Sequence, residues 1–413
     1  DHAPLPEYLD KMLGYFSDPH VAFVSSPQDF YNLDSFQHPN GTQGRLVWNE
    51  QSLFFRVIQR GKDNWNAAFF CGTCGVLRRR ALEDIGLFST DTITEDLDTS
   101  LKIHRRGWKS VYHAESLAFG VAPKDLVPFL RQRLRWGQGA MQVLKRHSAV
   151  LFARELSWPQ RISYMASILM YFEGWPKLVL YFSPAIVLLT GIMPVADVSW
   201  EFVALFVPYY ALTFWVFEEA GRGYGHSVQA ERYNMSRFAI SAWSTFGLVK
   251  KKLRFKFADK STDTIGATAQ ARRSLIPQRV VLMANVCGIV FGPLFFLAGD
   301  GLTVAVFVAS VIWALVNVSL ACSVVELARR GWKFKRREYR FPVPMPATIT
   351  LTDGTKVSGI MDDISHLGFK FYGPFPHTLV EGMTLVGAIR LPWGRQEFDF
   401  TICRLNRDAS GTA

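Results

Sequence analysis

Carboxylates crowd one short stretch of this sequence: Thr94-Glu95-Asp96 stands among Asp91, Asp98 and several threonines, where a loop enters a helix. A carboxylate at a cleft can serve as a general base, taking the proton from a hydroxyl as that hydroxyl attacks an activated carbon. A structural role competes with this, in which Thr94 caps the helix and the acids complement its dipole. Asp98 is assigned to the structural role and Asp96 to the chemistry.

Downstream, Gln132-Arg133-Leu134-Arg135-Trp136 puts an amide, a guanidinium and an indole on one helical turn. Such groups can hold a diphosphate and stack on a sugar ring, which suits an enzyme that uses a nucleotide sugar. The same turn also reads as a basic amphipathic helix lying on a bilayer, with Leu126, Phe129 and Leu130 as its apolar face. Upstream, Phe69-Phe70-Cys71-Gly72-Thr73-Cys74-Gly75 has the Cys-x-x-Cys spacing of a metal or redox motif. No second cysteine pair or histidine cluster in the sequence completes a zinc site. The segment reads instead as a buried turn whose glycines let a substrate approach closely, lining an acceptor site.

Positioning these groups takes more than one ordinary domain. At 413 residues the chain has room for two or three units, each with its own core. Residues 1–155 have the mixed texture of a soluble α/β domain: Val21-Ala22-Phe23-Val24 reads as a buried strand, and 81–87 as a helix turning at Gly86. Apolar residues make up 49% of the chain, with 33 Phe and 12 Trp, which points to membrane spans rather than one large soluble core. Four runs of about bilayer length fall at about 178–196, 200–217, 280–299 and 302–325; a shorter one at 162–172 is assigned to the interface.

The loops orient these spans. Residues 197–201 and 300–301 carry no lysine or arginine, whereas 218–279 is rich in them from Lys250 to Arg273. That segment is therefore expected in the cytoplasm, together with 1–155 and everything after Arg329. Much of the net charge of +11 is thus topological rather than a nucleic-acid footprint. The five scattered cysteines do not form a disulfide framework and favour a reducing, cytosol-facing context. No signal peptide is visible, and the polar, proline-containing start reads as a fragment cut within a domain.

After the last apolar run, alternation such as Ala347-Thr348-Ile349-Thr350-Leu351-Thr352, turned at Asp353-Gly354, predicts a small β-barrel. Arg336-Arg337-Glu338-Tyr339-Arg340 precedes it and Asp363-Ile364-Ser365-His366-Leu367-Gly368 lies within it. Arginines in that spacing can clamp phosphates and stack on guanine, while the Asp-x-Ser-x-x-Gly turn offers acceptors to base edges. Together the two motifs resemble a PilZ domain. That resemblance implies cyclic-di-GMP bound by Arg336, Arg337, Arg340, Asp363, Ser365 and Gly368.

Phe-Phe-Cys-Gly-Thr, then Thr-Glu-Asp, then Gln-x-x-Arg-Trp, in this order and followed by paired apolar spans, resembles the bacterial cellulose synthase catalytic subunit over nearly the whole chain. The resemblance implies a processive, inverting family 2 glycosyltransferase of the inner membrane. Such an enzyme polymerises glucose from UDP-glucose with Mg²⁺ into a β-glucan and extrudes the chain through its own channel. The expected architecture is the C-terminal part of an α/β GT-A-type glycosyltransferase domain over 1–155, then an α-helical transmembrane bundle over 156–334 with a cytoplasmic gating loop at 218–279. A PilZ β-barrel over 335–408 and a tail at 409–413 complete it.

On the same likeness Asp96, in a motif with Glu95 and Thr94, is the base toward the acceptor hydroxyl. Gln132 and Arg135 hold the pyrophosphate, Trp136 stacks on the terminal acceptor glucose, and Phe69, Phe70, Cys71, Gly72 and Thr73 shape the acceptor mouth. Asp1 matches the last carboxylate of a metal-binding Asp-x-Asp, so the first carboxylate and the uridine-binding strands are expected before this sequence. Phe255-Lys256-Phe257-Ala258-Asp259-Lys260 resembles a gating loop of form Phe-x-Val-Thr-x-Lys. Phe255, Phe257, Asp259 and Lys260 would then form a lid over UDP, with Ala258 lacking the hydroxyl of a latch. Expected partners are membrane lipid, the growing glucan, cyclic-di-GMP as activator and a periplasmic subunit, with no nucleic acid.

Linkage stays open, because Ser25-Ser26-Pro27-Gln28-Asp29-Phe30-Tyr31-Asn32 departs from the Thr-Pro-His-Phe-Phe pattern expected of ordinary cellulose synthases. A β-1,3 or mixed-linkage product is the alternative. Chitin- or hyaluronan-like synthases would not be expected to carry the PilZ pair. A non-catalytic cyclic-dinucleotide receptor would leave Asp96 and the Gln-x-x-Arg-Trp turn unexplained.

Overall fold

A computed structural model describes residues 2–38, 48–148, 152–193, 200–249, 264–297, 302–333, 344–365, 367–376, 379–391 and 394–405. The chain divides into two compact units, Asp1–Phe334 and Lys335–Ala413.

The first unit opens with β1 (His2–Pro4), α1 (Tyr8–Leu13), β2 (Val21–Ser25) and β3 (Asp29–Phe30). After a π-helical turn at Phe54–Ile58 come α2 (Gln59–Asp63), β4 (Gly75–Leu77), α3 (Arg79–Asp84), α4 (Glu95–Arg105), β5 (Lys109–Tyr112) and β6 (Ala118–Gly120). β2 is buried along its whole length, as the unbroken apolar run requires of a strand covered on both faces. It lies between β4, antiparallel, and β5, parallel. A second small sheet runs β1-β6-β3. The helix expected over 81–87 is α3, ending at Asp84 before a left-handed Gly86.

α5 (Leu126–Arg146) carries the Gln-x-x-Arg-Trp turn. Its buried Leu126, Phe129, Leu130, Arg133, Gly137, Ala140 and Met141 recur every three or four residues, one face of a helix. Leu126, Phe129 and Leu130 pack with Phe36, Tyr233, Leu275 and Val281. The face read as resting on a bilayer therefore lies in the protein core, because other helices of the chain cover it.

The remaining helices are α6 (Trp158–Leu169), α7 (Gly174–Thr190), α8 (Trp200–Ala220), α9 (Ser227–Ser244), α10 (Thr264–Ser274), α11 (Ile276–Leu297) and α12 (Val304–Lys333). A capping box between Ser157 and Gln160 starts α6 earlier than the expected 162, and a 3-10 turn, Met170–Glu173, joins it to α7. α7 stops at Thr190, short of 196, because Gly191 takes a left-handed C-cap. Among the described residues, two helices are long and apolar enough to cross a membrane, over Ile276–Leu297 and Val304–Arg329. Met283, Leu294, Leu297 and Val304 stand exposed on them, an apolar surface that water does not favour. Within the described part of the 218–279 segment, α9 buries Tyr233, Met235 and Phe238.

The second unit is an antiparallel sheet of β7 (Met345–Thr350), β8 (Lys356–Ser365), β9 (Gly368–Tyr372), β10 (Thr384–Leu391) and β11 (Gly394–Thr401), in the order β11-β10-β7-β8-β9. Ile349, Leu351, Val357, Leu379 and Leu385 form its core. The turn predicted at Asp353-Gly354 is present, with Gly354 left-handed and the Thr355 amide donating to Asp353 at 2.8 Å. The sheet curls until Phe369 on β9 meets Phe398 and Phe400 on β11, ring centroids 5.3 and 4.9 Å apart. Among the described residues it is thus a curled sheet whose outer strands meet through aromatic rings.

Candidate active site

Asp96 stands in the first turn of α4. Its Oδ1 accepts the Leu97 amide at 2.8 Å, and its Oδ2 faces Gly72, where an added Cβ would lie only 3.1 Å away. Gly72 also has φ +84, so glycine is needed both for the turn and for the close approach. Burial pushes the Asp96 carboxyl up to about 6, with the Leu97 amide opposing, Glu95 adding and the Arg135 guanidinium opposing. The Arg135 guanidinium on α5 thus acts on the Asp96 carboxyl through its charge. A carboxylate tuned this close to neutrality is suited to moving a proton.

The 69–75 segment is braced along its backbone. Gln59 Nε2 donates to the Phe69 carbonyl at 2.8 Å, Gln28 Nε2 to the Cys71 carbonyl at 2.7 Å, and the Ser26 amide to the Cys74 carbonyl at 2.8 Å. Phe70 is buried with Ala22, Phe23 and Ile103, and the Phe69 ring packs against Phe54. Burial pushes the Cys71 thiol up, with the Asp96 charge adding, and pushes Cys74 up to about 11. Thr73 Oγ1 lies 3.4 Å from His2 Nδ1.

Thr94, grouped on sequence with the catalytic residues and weighed as a cap, makes no side-chain capping bond. Its side chain is buried against Gly139 of α5. Asp98 has the structural surroundings expected of it: buried, bonded by Ser89, 2.6 Å from His147 Nε2 and 3.5 Å from Lys102 Nζ. On α5, Gln132 Oε1 accepts from Gln37 at 3.4 Å, and Gln37 accepts from Gln51 at 3.0 Å. Trp136 carries the Arg133 guanidinium 4.2 Å from its ring centroid.

Sequence reading missed Lys62, which looks solvated in the polar run Gln59–Asp63. The amine is buried, 5.0 Å from the Phe69 ring centroid, and donates to the Ser163 carbonyl at 3.1 Å and to the Ser167 hydroxyl. It thereby ties the 69–75 segment to α6. Burial pulls it from 10.5 down to about 8. The charged amine therefore costs stability below that pH, and the cost fades as pH rises from about 8 to 10.5. Lys62→Met should unfold at a higher temperature than the unsubstituted protein at neutral pH, with the gap closing in alkaline scans.

Among the described residues no three histidine, cysteine, aspartate or glutamate side chains gather to hold a metal ion. The described groups thus do not by themselves make a metal site, and no step below runs through one. Asp1, Phe255, Phe257, Asp259, Lys260, Arg336, Arg337 and Arg340 lie outside the described residues. In the second unit, Ser365 pairs with Gly368 and its hydroxyl donates to the Gly368 carbonyl at 3.0 Å, while Asp363 pairs with Lys370.

Residues 1–217 match the family model of the glycosyl transferase family group 2. Cellulose synthase 1 of Komagataeibacter xylinus is 29% identical over 99% of this chain and 28% of its own length. The UDP-forming cellulose synthase catalytic subunit of Pseudomonas fluorescens (strain SBW25) is 31% identical over 92% of this chain and 52% of its own. The UDP-forming cellulose synthase 1 catalytic subunit of K. xylinus is 28% identical over 99% of this chain and 57% of its own. The chain thus spans between 28% and 57% of these curated relatives. Because the match takes in both the Asp96 helix and the Arg135 helix, the chain belongs to the glycosyl transferase family group 2.

Proposed function

We propose that this chain carries the acceptor side and the membrane helices of a processive, inverting glycosyltransferase that polymerises glucose from UDP-glucose into a β-glucan. What supports this most is the buried Asp96 carboxyl facing the left-handed Gly72, with the charge of Arg135 acting on it. In this reading an acceptor hydroxyl near Gly72 gives its proton to Asp96 as its oxygen attacks the anomeric carbon of the donor. The bond to UDP breaks with its electron pair on the diphosphate, toward Arg135 and Gln132. Trp136 stacks on the terminal acceptor ring, and Phe69, Gly72 and Thr73 line the mouth.

The exposed apolar sides of α11 and α12 favour a multi-pass place in a bilayer, with residues 1–155 and the second unit in the cytoplasm and the glucan leaving through the helices. The second unit is a PilZ-like sensor in this reading. Cyclic-di-GMP bound at Asp363, Ser365 and Gly368 together with the arginines of 336–340 frees the gating loop at 255–260. A second linkage also has support: Ser26 and Gln28, in the segment that departs from the cellulose synthase pattern, bond the backbone of the acceptor segment. Rotating the terminal ring there presents a different hydroxyl to Asp96.

The test reconstitutes the full-length enzyme in lipid nanodiscs with UDP-glucose, Mg²⁺ and cyclic-di-GMP, and digests the product with linkage-specific glucanases. Polymer released by a β-1,4-glucanase supports cellulose, and release by a β-1,3-glucanase supports the second linkage. No polymer from any nucleotide sugar overturns the catalytic reading. In the same assay Arg340→Ala should retain basal synthesis and lose the response to cyclic-di-GMP.

A further inference from the structure

Trp136 does not stand alone on α5. The Arg133 guanidinium lies over its indole at 4.2 Å and over the Phe129 ring at 4.8 Å. Arg133 is buried, and Glu50 meets its charge: one carboxylate oxygen takes Arg133 and the other takes Arg237 of α9. Arg237 is held in turn by Glu173 at 3.1 Å and by Asn234 Oδ1 at 2.9 Å. Two acids and two arginines thus close a neutral cluster joining α5 to α9 and to the turn before α7.

Such a cluster is a costly way to pack helices. Arg133, Glu50 and Arg237 largely leave water while Glu173 stays partly exposed, and each buried charge is tolerable only while its partner stays in place. Aromatic packing already joins the same two helices, since the Phe129 and Tyr233 ring centroids stand 6.0 Å apart. The cluster adds a fixed guanidinium plane against the indole, which a lysine would not supply.

We propose that Arg133, anchored by Glu50 and Arg237, is the positioning residue of the Trp136 platform. It occupies one face of the indole, leaves the other to a sugar ring, and so sets how firmly the acceptor end is held between successive additions. The inference rests on the reading of Trp136 as the acceptor platform.

Arg133→Lys keeps a charge for Glu50 and loses the planar stack. In nanodisc-reconstituted enzyme supplied with UDP-glucose, mean product length should fall roughly tenfold, the scale of a desolvated cation–π contact, with KM for UDP-glucose unchanged. Glu50→Asp, which retains the charges and retracts the anchor, should shorten the product likewise and serves if Arg133→Lys does not fold. Wild-type product length in a folded variant overturns the proposal. So does a fall in yield at constant length, or failure of both variants to fold, since each reduces the cluster to a device for stability. Absence of polymer from the unsubstituted enzyme retires the glucan-synthase reading itself, which keeps the two failures apart.

Discussion

Asp96→Asn should abolish polymer synthesis and at the same time make the protein more stable. Asparagine keeps the shape and the bond from the Leu97 amide but cannot take a proton, and a positioned general base is worth about a hundredfold to ten-thousandfold in rate. The base works only when ionised, so in the unsubstituted enzyme the rate should fall as pH drops through about 6. The stability change has the opposite sense. Burial raises the Asp96 carboxyl from 3.8 to about 6, so the folded protein prefers the protonated form. The stability this gives is complete below pH 3.8 and is lost as pH rises to about 6. At neutral pH holding the ionised group costs at most about 3 kcal/mol, trimmed by its partial exposure. Thermal unfolding of Asp96→Asn should therefore come later than that of the unsubstituted protein at neutral pH, with the difference closing toward pH 4. An active Asp96→Asn variant would remove Asp96 from the chemistry, and an inactive but destabilised one would make it a folding residue.

What was legible in the sequence was local. Thr94-Glu95-Asp96 opens a helix and Gln132 to Trp136 share a helical turn because spacing of a few residues fixes which side chains lie together. The burial of β2 followed from its unbroken apolar run, and the turn at Asp353-Gly354 from its chemistry. What depended on distant partners was hidden. The period of Leu126, Phe129 and Leu130 announces an apolar face without saying whether lipid or protein covers it. Phe69 and Phe70 look equivalent as letters, and only the fold sends Phe70 to Phe23 and Ile103 and Phe69 to Phe54. Lys62, Glu50 and Arg237 resemble surface charges, and only the fold brings each to its partner. The pattern of α9 likewise does not show that Tyr233 meets Phe129 of α5 and Phe238 meets Tyr181 of α7.

Gly139→Ala, a change that ordinarily strengthens a helix by about 1 kcal/mol, should here cost most of the activity. A Cβ at Gly139 would lie 2.5 Å from Thr94 Oγ1 and 2.9 Å from Thr94 Cβ, and would also strike Cγ2. Thr94 is buried and branched at Cβ, so turning either branch away brings the other into the same space. The start of α4 must then move relative to α5. Thr94 immediately precedes Glu95 and Asp96, and Arg135 lies one helical turn before Gly139 on the same face of α5, so the misfit shifts Asp96 relative to the part of α5 that carries Arg135. A shift of about 1 Å between reacting groups can cost about a hundredfold in rate, against about 1–3 kcal/mol of stability for the overpacking. Thr94→Ala removes Oγ1 and Cγ2 and leaves only the 2.9 Å approach to the Thr94 Cβ, and Oγ1 is a buried hydroxyl with no hydrogen-bond partner among the described residues, so its loss alone should change little. Gly139→Ala with Thr94→Ala should therefore recover part of the rate that Gly139→Ala loses, a coupling that independent sites do not show. Full activity in Gly139→Ala, or no recovery in the double variant, would mean that the contact between Thr94 and Gly139 does not set the distance across which Asp96 works.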